Sequence, residues 1–289
     1  MDLLRVVTLN IWNRQGPWDE RAKLIRKGLA SLAPDLVGLQ EVLRLAPTNL
    51  DGSAPPDERG KVGNQAEELA AGLGYYAVYG KAHDLGFGLD FGNGLLSRYP
   101  ILEADVRPLP VEQADEKRAV LYALCDVPGG PVPVFVTHFS WKLHQSAIRQ
   151  RQVLAVVDFV AEKAKVGATY PPILMGDFNA EPDSHEMRFL RGLATIDGRS
   201  VYFADCFALA GDGSRGATYA RSNRYAARSH EPDRRIDYIY TRGPDRALRA
   251  EPLASRLVFT DEESSVFPSD HYGVSADVQL APSPDNRKS

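Results

Sequence analysis

The chain has 289 residues, 44% hydrophobic and 25% charged. That is the balance of a soluble globular protein long enough to bury about three quarters of its unfolded surface without staples. A net charge of −4 and a pI near 5.9 exclude a protein whose main work is gripping nucleic acid over a broad basic face, although a local basic stripe would escape that test.

The predicted elements alternate short apolar strands with a few helices. Residues 4–11 are apolar and β-branched, a buried strand. Residues 19–32 place Ile25, Leu29 and Leu32 at helical spacing, and Pro34 stops that helix. Residues 36–40 form the next buried strand, which ends on Glu41. Residues 44–64, rich in Pro, Gly, Asp and Asn, read as a long loop, and 65–72 as a short helix. Strands follow at 75–79, 93–97, 120–127 and 132–137, the last ending on His138. The longest helix spans 146–165, with Ser146 as its cap and Ile148, Val153, Val157, Val160 and Ala164 as its buried stripe. Residues 172–175 run as a strand into Gly176-Asp177-Phe178-Asn179, 184–193 form a helix, and 236–241 and 274–280 are late strands.

No linker divides this pattern, so one domain over residues 1–281 is expected, with a disordered polar tail at 282–289. No apolar run approaches the ~20 residues of a membrane span, and the N-terminus lacks a signal-peptide pattern, so a cytoplasmic protein is expected. The two cysteines, Cys125 and Cys206, fit no zinc spacing, and Cys125 reads as a buried thiol. No obligate protein partner is evident.

Several strands share one feature: an apolar run ends in a polar, acidic or imidazole residue. Asn10, Glu41, His138 and Asp177 all stand at such ends, and Asp270-His271 precedes a strand. Strand ends are where α/β proteins gather their sites. The donors are hard oxygens and imidazoles, which suit Mg²⁺ or Mn²⁺ better than a closed zinc cage. Taken singly, each residue has an ordinary reading as a turn, a solvated strand end or a surface histidine. The ordered set is what carries weight.

The series TLNIW at 8–12, LQEV at 39–42, THF at 137–139, GDFNAEP at 176–182, RRIDYI at 234–239 and SDH at 269–271 resembles the endonuclease/exonuclease/phosphatase superfamily, the DNase I-like group. The resemblance implies a four-layer α/β sandwich: two packed mixed β-sheets flanked by helices. It implies a divalent-metal-dependent phosphoester hydrolase using Mg²⁺ or Mn²⁺. Glu41 matches the principal metal ligand, Asn10 beside it would help hold the metal or its water, and Asp270 would lie near the metal. Asp177 would orient or deprotonate the attacking water, and Asn179 would steady the phosphoryl oxygens. His271 would contact the phosphate or act as base, oriented by Asp237. His138 matches the histidine of the nuclease, sphingomyelinase and inositol-phosphatase branches. Asn93, in GNGLLSRYP, falls where the family often places a substrate-pocket residue; its alternative is a Gly-Asn-Gly turn.

The substrate is less legible. The acidic balance and His138 favour a small-molecule or lipid-headgroup phosphoester. A nuclease acting on DNA or RNA is the alternative, supported by residues 215–249, where nine arginines, Arg224 among them, stand against four acids. An inactive binding protein is the remote alternative. His144, six residues past His138, is a candidate for the pocket rim.

Overall fold

The computed structural model describes residues 3–45, 63–113, 115–165 and 170–280. In chain order the first half forms β1 (Leu3–Asn10), α1 (Trp18–Leu32), β2 (Leu36–Leu45), β3 (Gly63–Asn64), α2 (Gln65–Ala70), β4 (Tyr76–Gly86), β5 (Leu89–Ser97), β6 (Ile101–Leu109) and β7 (Arg118–Val127). The second half forms β8 (Gly130–His138), α3 (Ser146–Lys163), β9 (Ile173–Asp177), α4 (His185–Leu190), β10 (Ala204–Asp205), α5 (Cys206–Ala210), β11 (Asp237–Thr241), β12 (Pro252–Val258) and β13 (Gly273–Gln279).

These strands make two mixed sheets. One has the order β12-β13-β1-β2-β5-β4, with β3 on β2; the other has the order β10-β11-β9-β8-β7-β6. Each sheet holds one parallel pair, β1 with β2 and β8 with β9, and each pair is joined by a helix, α1 or α3. The other strand pairings among the described residues are antiparallel.

The apolar runs follow from burial on both faces. Along β1, Val6 joins the core between the sheets, with Leu36, Val134, Val136 and Met175, while Val7 faces the layer made by Ile25 and Leu29 of α1. On the other side, Phe135 and Leu174 meet Val153, Val157 and Phe159 of α3. The layers are therefore helix, sheet, sheet, helix. The sheets approach closely where Gly38 lies under Met175; a Cβ there would sit 2.8 Å from the Met175 sulfur.

Some elements differ from the sequence reading. The strands β6 and β12 are edge strands carrying Glu103, Asp105, Arg107 and Pro108, or Pro252, Ser255 and Arg256, so they lack the apolar run that marks a central strand. Ser146 does not cap α3: Gln145 holds the cap position without a side-chain bond, and Ser146 Oγ donates to Glu186 instead. Side-chain caps lie elsewhere: at α2 Asn64 and Glu67 form a reciprocal capping box, and at α5 Asp205 accepts from the Ala208 N–H. Both cysteines are buried free thiols. No helix among the described residues is long and apolar enough to cross a membrane. The tail expected at 282–289, and residues 46–62 of the expected loop, lie outside the described residues.

Candidate active site

Parallel pairing aligns the carboxyl ends of β1 and β2, and of β8 and β9, so their last side chains share one edge of the sandwich. His138 pairs with Asp177 in register, and Asp177 pairs with Asp237, the first residue of β11. Three functional side chains thus stand on three neighbouring strands, about 5 Å apart from one strand to the next.

Two backbone departures complete the arrangement. The pairing of β2 with β5 slips between Leu39 and Val42, and Glu41, inside the slip, is left-handed at φ 60. Such a bulge re-aims a side chain. Gln40 stays buried against Thr8, while Glu41 turns into the cleft. At Gly176 the φ is 145, and a Cβ would lie 1.9 Å from the carbonyl oxygen of Thr137. Only glycine fits there, which explains the first letter of GDFN. The turn ends at Asn179, also left-handed at φ 50, whose backbone N–H donates to Asp177 Oδ1 at 2.8 Å.

A hydrogen-bond network then joins the two sheets. Asn10 Nδ2 donates to Glu41 Oε1 at 3.3 Å and to Asp177 Oδ2 at 3.1 Å, so one amide spans the carboxylates of both sheets. The Asn10 oxygen accepts from Trp12 N–H at 2.9 Å, which fixes the amide orientation and points its nitrogen at the carboxylates. Around Asp177 Oδ2 lie His138 Nε2 at 3.5 Å and His271 Nε2 at 3.9 Å. His271 Nδ1 is 2.9 Å from Asp237 Oδ2, so the chain Asp237, His271, Asp177 runs from the core to the cleft. Tyr219 packs against the His271 ring at 5.0 Å.

Burial and charge set the protonation states. Burial opposes a charge on His271, but Asp237, Asp270 and Asp177 together outweigh it and hold the imidazolium well above its ordinary range. His138 is driven the other way, by burial first and then by Arg118 and His271, so it is neutral. Burial, with repulsion from Asp237, lifts Asp177 to about 6. Burial, with repulsion from Glu41, lifts Asp270 to about 6 as well. Glu41 is raised by burial, against the opposing pull of His271 and Asn10.

This surplus of carboxylate is the observation that fits a cation. Asp177, Asp237 and His271 offer ligand atoms within 4.8 Å of one another, and Asp237 Oδ1 is buried without a partner. A cation in that group would have to displace the His271 proton. Glu41 and Asp270 repel one another at the cleft wall without that obstacle, and both are hard oxygen donors.

The cleft encloses about 340 Å³ and is lined by Glu41, His138, Asp177, Asn179, Asp270 and His271, with Asn10 and Asp237 buried behind it. Asn93 is elsewhere: it is buried, and its amide donates to the Ala119 carbonyl at 2.9 Å and the Val136 carbonyl at 3.4 Å, tying β5 to the facing sheet. His144 is exposed and does not line the cleft. Arg224 is exposed, pairs with Glu262 at 3.2 Å, and does not line it either. The cleft is also lined by Asn13 and Arg118, which no motif marked, and by Tyr219 and Arg234, which belong to the arginine-rich segment 215–249. Asn13 Nδ2 donates to Glu41 Oε2 at 2.9 Å. Arg118, almost fully buried, donates to the Phe139 carbonyl at 3.0 Å and pairs with Glu116 at 3.1 Å. For Asn13 the hint was its three-residue distance from Asn10; for Arg118 the sequence held none.

Known proteins share this arrangement of strands. A model of the Endonuclease/Exonuclease/phosphatase family matches residues 7–271. The protein YbhP of Escherichia coli is 29% identical over 207 residues, 66% of this chain and 74% of its own length. The solved structure of an endonuclease/exonuclease/phosphatase from Beutenbergia cavernae superposes with a TM-score of 0.68 at 27% identity, covering 97% of this chain and 72% of that one. TDP2 from D. rerio, solved with a single-strand DNA product, has the same fold, with a TM-score of 0.70 at 20% identity over 97% of this chain and 100% of its own. With its two packed mixed sheets and a family match spanning nearly its whole length, the chain belongs to the endonuclease/exonuclease/phosphatase family, whose members typically hydrolyse phosphoesters.

Proposed function

We propose that this protein is a divalent-cation-dependent phosphodiesterase or phosphatase acting on a small-molecule or lipid-headgroup phosphoester, with residues 1–281 as its catalytic domain. The observation that carries the reading is the meeting of Asn10 and Glu41 from one sheet with His138, Asp177 and Asp237 from the other, under His271.

Glu41 and Asp270 would hold Mg²⁺ or Mn²⁺. Bound there, the cation would neutralise phosphate charge and polarise the phosphoryl oxygen. Asn10 fixes the separation of Glu41 from Asp177 through its two donated bonds. Asp177 orients the attacking water and accepts its proton. His271 enters as an imidazolium: Nδ1–H is committed to Asp237, and Nε2–H faces the cleft, so it serves as a donor to the phosphoryl group rather than as the base. Neutral His138 and the Asn179 amide add donors, and one such donor is commonly worth about 10²–10³ in rate.

The substrate class rests on the walls. The cleft volume matches a small ligand. Its arginines, Arg118 and Arg234, are each paired with a wall glutamate, Glu116 or Glu231. In the arginine-rich segment, Arg224, Arg235 and Arg249 are likewise committed to Glu262, Asp205 and Asp245. These pairings weaken the nucleic-acid track that composition suggests. Purified protein should release p-nitrophenol from bis(p-nitrophenyl) phosphate with Mg²⁺ or Mn²⁺, and stop with EDTA. Plasmid nicking lost in Glu41→Ala would move the substrate to nucleic acid. Metal-independent turnover, or silence across a phosphoester panel, would overturn the reading.

A further inference from the structure

The start of α1 carries a residue whose bonding differs from that of any other arginine described above. Arg21, on the first turn of α1, has a side chain with no exposed surface, yet among the described residues no carboxylate pairs with it. All of its hydrogen bonds go to main-chain carbonyls. Nη1 donates to Ile11 at 2.8 Å and to Pro268 at 3.0 Å. Nη2 donates to Trp12 at 3.2 Å, Asn13 at 2.9 Å and Gln15 at 2.8 Å, and Nε donates to Gln15 at 3.0 Å. The Trp12 and Trp18 rings flank the guanidinium, 5.0 and 5.2 Å from their centres. Burial lowers Arg21 to about 10, so it is still a cation at neutral pH.

Two segments far apart in sequence meet on this one group. The first, residues 11–16, is a loop that holds Trp12 and Asn13 at left-handed φ values of 55 and 37. Such backbone persists only where its surroundings hold it. Asn13 is the residue that donates to Glu41 Oε2 at 2.9 Å. The second segment begins at Pro268 and runs straight into Asp270 and His271. It is pinned again by Ser269 Oγ, which donates to the Asn10 carbonyl at 2.6 Å. Glu41 and Asp270 lie close enough to feel the Arg21 charge.

From this juxtaposition we infer that Arg21 is a positioning residue for the cation-holding half of the site: its carbonyl clamp fixes the Asn13 loop against the Asp270 segment and so sets how Glu41 and Asp270 face a divalent cation. The inference rests on the proposed function only for the cation itself. A lysine cannot replace the fork, because an ammonium has three donors on one atom and cannot serve five carbonyls spread along two segments. An apolar residue would leave those carbonyls buried and unpaired.

The test is direct Mn²⁺ binding, read by the electron paramagnetic resonance signal of free Mn²⁺, on wild type, Arg21→Lys and Asn13→Ala, with near-ultraviolet circular dichroism and melting temperature alongside. Loss of a group that orients ligands costs metal affinity about 10- to 100-fold. Folded Arg21→Lys should therefore bind Mn²⁺ at least about tenfold more weakly, with kcat at saturating metal within about threefold of wild type. A purely structural role would lower the melting temperature and leave affinity unchanged. If Arg21→Lys does not fold, Asn13→Ala cuts the same linkage at its far end and should show the same loss. Affinity within about twofold of wild type in either folded variant overturns the clamp. Wild type that binds Mn²⁺ but hydrolyses no phosphoester removes the proposed function and leaves the clamp standing, whereas wild type that binds no Mn²⁺ removes both.

Discussion

Asp237→Asn isolates the role of the buried carboxylate behind His271. Asp237 is 1% exposed and His271 6%, and their bond is 2.9 Å long. A buried hydrogen bond to a charged group is worth about 1.5–3 kcal/mol, and about 1.4 kcal/mol corresponds to one pKa unit. Removing the charge should therefore lower the His271 pKa, because Asp237 is the largest of the influences that raise it. The imidazolium is the form that donates from Nε2, so the alkaline limb of the kcat/KM profile should move down by the same amount. Above that limb the variant should lose about 10- to 100-fold in kcat/KM, more if the asparagine also fixes the wrong tautomer. The assay is hydrolysis of bis(p-nitrophenyl) phosphate at saturating Mg²⁺ over roughly pH 6 to 10, with an imidazole NMR titration of the metal-free protein. A variant with the wild-type His271 titration, or with turnover within about threefold across the range, would refute the relay.

Other outcomes follow from the same geometry. Asp177 and Asp270 stand near 6 without metal, above the ~3.9 of an unfolded aspartate, so the neutral forms favour the fold; that stability is full below pH ~4 and is lost as pH rises through about 6. Cation binding needs both ionised, so the rise in melting temperature on adding Mn²⁺ should be larger at pH 7.5 than at pH 5, and calorimetry showing equal shifts would contradict it. Glu41→Gln should abolish Mn²⁺ binding yet raise the melting temperature in EDTA by a few degrees, since it removes a carboxylate whose charge is disfavoured by burial; a lower melting temperature would count against that desolvation cost. Gly176→Ala places a Cβ 1.9 Å from the Thr137 oxygen and should cost about 3 kcal/mol or more in urea unfolding. Arg224→Ala, at a surface pair with Glu262, should change stability by no more than about 0.5 kcal/mol and leave kcat/KM for a small diester unchanged.

The sequence was most readable where the chain is buried on both sides. The runs at β1, β8 and β9 announce central strands, and each ends on a polar residue because the sheet stops there and the cleft begins. The edge strands β6 and β12 were illegible for the opposite reason: β6, for one, carries the charges and proline that protect an edge. Glu41 shows a subtler limit. Alternation puts it on one side or the other of β2, but the slip that turns it inward is a property of the pairing with β5. Asn93 misled because a Gly-Asn-Gly run looks like a turn or a pocket residue, whereas its amide tethers two sheets that only the fold brings together. Arg21 gave no signal at all, since an arginine near the start of an amphipathic helix reads as a solvated face; its carbonyl partners include Pro268, at the far end of the chain.

If six scattered segments converge on a divalent cation facing a phosphate, anomalous diffraction from a crystal soaked with Mn²⁺ and inorganic phosphate will show it. Manganese should appear between Glu41 and Asp270, with phosphate oxygens turned toward Asn179 and His271 Nε2. A cleft without manganese, or a peak bound only by residues outside it, would refute the convergence.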